Sequence, residues 1–429
     1  MNISKIFPFL LTTSLLFISC ASTPLPNTGT VTVPDDFFGL VHAGRLRTAE
    51  EYHLLNELGA VWLLDTFRWN SIEPERGGGY NFSRYEPFVN IANEHGHKVI
   101  AVIAYHTSWI AKDSGKIDYI PKRYYDDYLN YVEALIIHFK GRVHAWQIWN
   151  EPNWIFWRGP DKEFFELSKL AAQRIKDTDP DAYIIGGGFF RVPESFIMNM
   201  YKAGALENLN AISFHPYGAA PRGSAALHDN FLRIMSKLNY KGDIWITEAG
   251  YPTGGFYPSS VSLKEFPSYI IKTIAGSAAR GAKVLIWYQL FDRHLLGEAP
   301  NKFNSEMFFG LAYRDYTRKD GAWAYQLCSQ NLPGSRYMPE MPLRENVPSN
   351  IISLCFMGGS SGRNTLILWN DRKNTQKIRV TLSSPVTLNS ISSNSNIILE
   401  DNSIINVTNT PVFITWEGES TPVITKVNK

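Results

Sequence analysis

The chain has 429 residues, 44% hydrophobic and 19% charged, the composition of an ordinary globular protein with room for one large domain and a smaller one. A formal net charge of +2, with no run of Lys or Arg, gives no basic field, so no nucleic-acid partner is expected. Aromatic residues reach 14%, with 12 Trp and 21 Tyr, which suits flat faces for sugar rings and equally suits a large core.

At the N-terminus Lys5 precedes an apolar run, Ile6 to Ser19, too short to remain as a membrane-spanning helix and suited to a secretory signal. The run ends Phe17-Ile18-Ser19-Cys20, followed by Ala21-Ser22-Thr23-Pro24. This resembles a bacterial lipoprotein signal over residues 1–20, in which Cys20 becomes the lipidated first residue, although Phe17 stands where that pattern prefers Leu. A plain cleaved signal with an incidental cysteine is the alternative. Lipidation would tether the protein to the cell envelope, at the outer membrane or cell surface, through acyl chains. Without it the chain would be periplasmic or secreted. Residues 21–34, rich in Pro, Thr and Gly without periodicity, read as a tether. Of the cysteines only Cys328 and Cys355 remain, which can pair in an exported protein or simply be buried. No Cys/His cluster has zinc spacing, so no metal site is expected.

From residue 35 short apolar strands alternate with helical patterns, the signature of βα units and a parallel sheet. The expected strands are Phe38–His42, Ala60–Arg68, Lys98–Tyr105, Val143–Trp149, Tyr183–Gly186, Ala211–His215, Asp243–Thr247 and Lys283–Tyr288. Helices are expected at Ala49–Leu58, Arg84–His95, Tyr124–Phe139, Lys162–Lys176, Ala226–Leu238 and Leu263–Ala279, from apolar residues at helical spacing such as Phe88, Ile91 and Ala92. Eight such units predict a (β/α)8 TIM barrel over residues 35–333. An open doubly wound sheet is the competitor, but it would need one crevice at a switch point rather than polar residues at nearly every strand end. After a helix near Ala322–Cys328 the texture changes. Runs at Ile351–Met357, Thr365–Trp369, Lys377–Leu382, Ser403–Val407 and Val412–Trp416 alternate, with Gly, Ser and Asn between them. They predict an antiparallel β-sandwich domain over residues 334–429, packed on the barrel. Ser383 to Asn396 reads as loop.

In a barrel of this kind chemistry sits where strands finish. Strand two ends in Arg68, strand four in Asn150-Glu151, strand six in His215 and Tyr217, strand seven in Glu248 and strand eight in Trp287. Pro152 disfavours helical geometry at Glu151, so an extended pose is expected there. Glu151 and Glu248 lie about three βα units apart, at roughly 30 residues per unit, as strands four and seven demand. Two carboxylates converging on one centre are what acid–nucleophile cleavage of a glycosidic bond requires. Gly186-Gly187-Gly188 is no phosphate loop, since no GK[ST] follows; close backbone approach near the pocket is its expected role. No G-x-S-x-G elbow follows any strand, which argues against Ser/His/Asp hydrolysis.

Arg68, the Asn150-Glu151-Pro152 triplet, FHPY at Phe214 to Tyr217, ITEAG at Ile246 to Gly250, and Trp287 together resemble the clan A retaining glycoside hydrolases. The stretch WNSIEPERGGGYNFSRYEPFV and the C-terminal β-domain lean toward family 39, with family 5 next. The resemblance implies Glu151 as acid/base, its pKa raised by an ionised Glu248, and Glu248 as nucleophile. It implies that Arg68 holds Glu248 ionised, that Tyr217 or His215 orients it, that Asn150 bonds the sugar 2-hydroxyl, and that Trp287 floors the glycone subsite. Trp109, Trp154 and Trp157 could stack sugars or pack in the core. The expectation is a lipid-anchored retaining β-glycosidase, monomeric and without cofactor, acting on a carbohydrate substrate. A non-catalytic carbohydrate-binding lipoprotein and an envelope-glycan transglycosylase are the alternatives.

Overall fold

The computed structural model describes residues 29–41, 48–114, 119–218, 220–256 and 260–427. The signal-like segment, Cys20, most of the tether and His42 lie outside them. Eight parallel strands close into a barrel: β1 (Phe38–Val41), β2 (Trp62–Arg68), β3 (Lys98–Ala104), β4 (Ala145–Ile148), β5 (Ile184–Phe190), β6 (Ala211–His215), β7 (Asp243–Ala249) and β8 (Val284–Trp287). Closure is made by β8 on β1, with Phe38 opposite Leu285. Because helices cover one face and barrel side chains the other, the strands are apolar runs rather than alternating ones, and Val99 to Ala104 are all buried. The helix Tyr125–Phe139 shows the complementary pattern, burying Tyr128, Val132, Leu135, Ile136 and Phe139 along one stripe.

Among the barrel elements that depart from expectation are β5 and the helix that follows it. β5 runs through the triple glycine to Phe190, with its register on β6 shifting between Gly187 and Phe189. Gly187 (φ 90°) and Gly188 (φ 55°) take left-handed conformations that a β-carbon would strain, which allows this bulge. The helix Glu194–Lys202, between β5 and β6, was not expected.

The second domain is a sandwich of a seven-stranded and a four-stranded sheet. The larger sheet begins with Val31–Thr32, which pairs with Arg336–Tyr337, so the end of the supposed tether is an edge strand of the C-terminal domain. At its centre, Ile351–Met357, Asn364–Asn370 and Val412–Trp416 pair antiparallel. Their side chains divide by the two-residue strand period. Ile351, Cys355, Leu366, Leu368 and Ile414 form the core between the two sheets. Ile352, Leu354, Phe356, Ile367, Trp369 and Phe413 join the barrel's core instead. Both faces of this sheet are therefore covered, which binds the sandwich to the barrel. The expected loop at 383–396 instead contains the strand Val386–Asn389, which forms a hairpin with Asn396–Leu399. Cys328 and Cys355 are free, buried thiols. Among the described residues no helix is long and apolar enough to cross a membrane.

Candidate active site

The carboxyl ends of the strands surround a cavity of about 510 Å³. Arg68, Asn150, Glu151, Trp154, Tyr217 and Glu248 all line it. Glu151 does not leave β4 in an extended pose. The strand stops at Ile148, and Trp149 (φ 66°) and Glu151 (φ 45°) are both left-handed. Pro152 disfavours only the right-handed helical region, and the turn is held instead by Glu151 N–H donating to Gly188 O at 2.9 Å. The bulge in β5 thus supplies the acceptor that fixes Glu151, in a conformation whose strain is typical of functional positions. Glu248 sits where β7 and β8 shift register between Ile246 and Ala249, an irregularity that re-aims side chains at a strand end.

Behind both carboxylates lies His215, fully buried. Its Nδ1 is 2.9 Å from Glu151 Oε1 and 3.8 Å from Glu248 Oε2, and its Nε2 is 3.1 Å from Thr247 Oγ1. Tyr217 Oη donates to Glu248 Oε2 at 2.9 Å. Glu151, His215 and Glu248 each present a donor atom within 4.8 Å of the other two. Such a triangle could in geometry hold a cation, but both ring nitrogens of His215 already have protein partners.

Burial decides the electrostatics. It pushes the Glu151 carboxyl up to about 8, with the charge of Glu306 adding to the effect. Glu248 rises to about 7, again chiefly through burial, held back by His215 and the Tyr217 hydrogen bond and raised by Glu151 and Glu306. The expectation that like-charge repulsion by Glu248 governs Glu151 is therefore corrected: desolvation comes first and Glu306 second. Burial keeps His215 below its ordinary value, and thus neutral near pH 7.

Three further expectations need correcting. Trp287 lies outside the cavity, fully buried, 6.0 Å from the Tyr251 ring and 6.3 Å from Phe266. Strand alternation turns it toward the helix layer and turns its neighbour Tyr288 into the cavity. Trp109 packs edge-on against Trp69 and donates to Glu73 O at 3.2 Å, which makes it part of the barrel's aromatic packing. Arg68 makes no ion pair with Glu248 among the described residues; its guanidinium lies 5.4 Å over the Tyr105 ring. Glu73 is not its partner either, being occupied by Trp69 Nε1 and Gly77 N. Of the remaining aromatics, Trp154 stacks on Phe190 at the cavity wall, while Trp157 is buried against Trp149.

Several cavity residues escaped the sequence reading. Tyr105 stands just past β3 and lines the cavity together with Asn150. The loop after β8 contributes Glu306, which accepts from Tyr288 Oη at 2.7 Å and from Arg293 Nη2 at 3.0 Å. This loop is bolted down by a buried ion pair: Lys319 Nζ lies 2.7 Å from Asp292 and donates to Thr253 Oγ1 at 2.8 Å. Asp292 Oδ1 also accepts from Gly310 N at 2.6 Å. Lys319→Met is expected to cost about 3–5 kcal/mol by taking the ammonium partner from the buried Asp292 carboxylate, which keeps His294 Nε2 at 3.2 Å. Pairing it with Asp292→Leu should recover most of that in denaturant unfolding; no recovery would show that the loop is held by something else.

No protein-family model matches the chain. It is 26% identical over 210 residues to endo-1,4-beta-xylanase B of Thermotoga neapolitana, a match that spans 44% of this chain and 57% of that relative. The fold is shared far more widely. A family 39 glycoside hydrolase from Bacteroides cellulosilyticus WH2 superposes with TM-score 0.74 at 18% identity, covering 89% of this chain and 81% of that one. A family 39 β-xylosidase from Caulobacter crescentus gives 0.61 at 16%, covering 91% and 98%. A glucosidase from Croceicoccus marinus gives 0.62 at 12%, covering 94% and 97%. The barrel and the sandwich packed on it thus have the fold of these solved glycoside hydrolases, two of which are of family 39.

Proposed function

We propose that the chain is a retaining β-glycosidase that cleaves O-glycosidic bonds by double displacement. The observation that carries this reading is the approach of Glu151 and Glu248, with oxygens within 4.8 Å of each other in one cavity. Retaining enzymes hold their carboxyl groups about 5–5.5 Å apart, whereas inverting ones need about 6.5–9.5 Å to seat a water. Glu248 attacks the anomeric carbon while Glu151 gives its proton to the leaving oxygen. The glycosyl–Glu248 ester is then broken by a water whose proton returns to Glu151. Burial keeps Glu151 protonated near neutrality, and Tyr217 steadies Glu248. Asn150, beside Glu151, is placed for the sugar 2-hydroxyl, and the exposed face of Trp154 offers a stacking surface.

The relatives named β-xylosidase, xylanase and glucosidase make aryl β-xylosides and β-glucosides the first substrates to try. Proton NMR of the reaction is expected to show the β-anomer of the free sugar first, with α appearing only by mutarotation. α-Anomer first would overturn retention, and no turnover of any glycoside would favour a binding protein. Sugar-adduct products with added acceptors would favour transglycosylation, which shares the glycosyl-enzyme. Export and anchoring through Cys20 belong to the same proposal, placing the enzyme at an envelope surface.

A further inference from the structure

Two guanidinium groups line the cavity without an ion pair to any carboxylate among the described residues. Arg68 ends β2 and Arg84 lies in the segment that follows it, before the helix Glu86–Glu94. Among the described residues neither side chain makes an ion pair or donates a hydrogen bond, although both are exposed to the cavity. Tyr85 anchors the two together. Its hydroxyl accepts from Arg68 N at 2.8 Å, and the Arg84 guanidinium lies 5.9 Å over its ring. Arg68 in turn lies over Tyr105. Contact with a ring face engages the plane of a guanidinium and leaves its N–H edge free to bond an anion.

The cavity's charge is divided unevenly. Glu151 and Glu248 face one another at the ends of β4 and β7, and Glu306 is already paired with Arg293. On the β2 side the carboxylate is Asp65, which lines the cavity and feels both arginines without an ion pair to either. As one carboxylate facing two guanidinium groups, it offsets only part of their charge. Two cations that line one cavity and both act on Asp65 offer N–H edges suited to a carboxylate or a sulfate.

We propose that Arg68 and Arg84 bind an anionic substituent of the substrate, either a uronate carboxylate or a sulfate ester, so that the substrate class is an acidic β-linked glycan. This rests on the glycosidase reading above. Oligosaccharide pairs differing only in charge test it: a uronate-containing oligosaccharide against its carboxyl-reduced form, and a sulfated one against its desulfated form. Binding is measured by titration calorimetry on the full chain carrying Glu151→Gln, so the readout does not depend on turnover. The acidic member of one pair is expected to bind about 10- to 100-fold more tightly than its neutral counterpart. Which pair discriminates identifies the anion. The advantage should collapse when Arg84→Gln is added, survive in part with Arg84→Lys, and shrink as ionic strength rises. Equal binding of both members in both pairs overturns the proposal, as does an advantage untouched by Arg84→Gln. Charge discrimination without any glycoside hydrolysis by the wild type would sink the glycosidase reading and leave anion binding standing. Hydrolysis of neutral glycosides without charge discrimination would do the reverse.

Discussion

Glu248→Ala is expected to lower kcat for an aryl β-glycoside by at least about 10⁴-fold, since losing a covalent nucleophile removes the whole double-displacement route. Its carboxylate is aimed by Tyr217 at 2.9 Å and faces Glu151 within 4.8 Å, and none of the described residues offers a second nucleophile at that point of the cavity. Glu151→Ala should behave differently. With a good leaving group the first displacement needs little acid help, so the variant should show a burst of phenol and then stall at the glycosyl-enzyme, whose hydrolysis needs a base. Azide needs no base: it should attack the anomeric carbon of that intermediate, displace the Glu248 carboxylate and release the β-glycosyl azide. Recovery of β-azide from Glu151→Ala, and not from Glu248→Ala, assigns the two roles. Equal losses in both variants with no rescue, or more than about 1% residual activity in Glu248→Ala, would reject the assignment.

The eight barrel strands were legible because each is a run of four to seven residues buried on both sides, which no loop imitates. Ala211–His215 came out residue for residue. What the pattern could not resolve was the last residue or two of a strand, and at a barrel mouth those residues are the site. A one-residue uncertainty at the end of β8 exchanged Trp287 for Tyr288, because neighbouring positions face opposite sides. Arg68 was placed at the right strand end but given the wrong partner; strand position says nothing about where a long side chain goes. Glu306 carried no signal at all: it lies well beyond β8, in a loop tied down by Lys319, Asp292 and Gly310. The conformation of Glu151 was hidden for a related reason, since the bond that sets it comes from a bulge in another strand. In the sandwich, Val386–Asn389 read as loop because Ser and Asn dominate its surroundings. Pairing with Val412–Trp416 on one side and Asn396–Leu399 on the other makes it a strand.

The second large effect is on pH. Turnover needs Glu248 ionised and Glu151 protonated at once, and burial has raised the first to about 7 and the second to about 8. The profile of kcat/KM should therefore be a narrow bell between those values, displaced upward from the range of ordinary carboxylates; the two limbs belong to the pair rather than to single residues. Removing the nearby charge with Glu306→Gln should move the falling limb to lower pH, because Glu306 raises both groups. The same shifts carry a stability consequence of definite sign. Both folded pKa values lie above the unfolded value, so between pH 4.5 and about 8 the native state keeps protons that the unfolded chain has shed. Stability must fall as pH rises across that window and level off above it. Glu151→Gln removes the ionisation and should be more stable than the wild type at pH 9, by roughly 5 kcal/mol at most, with little difference at pH 4. Denaturant unfolding of the two proteins at both pH values measures this directly. A bell centred near pH 5, with Glu151→Gln no more stable than the wild type at pH 9, would mean that water reaches Glu151 freely. The acid would then have to be tuned by neighbouring charges, Glu306 first among them, and not by its burial beneath the strand ends.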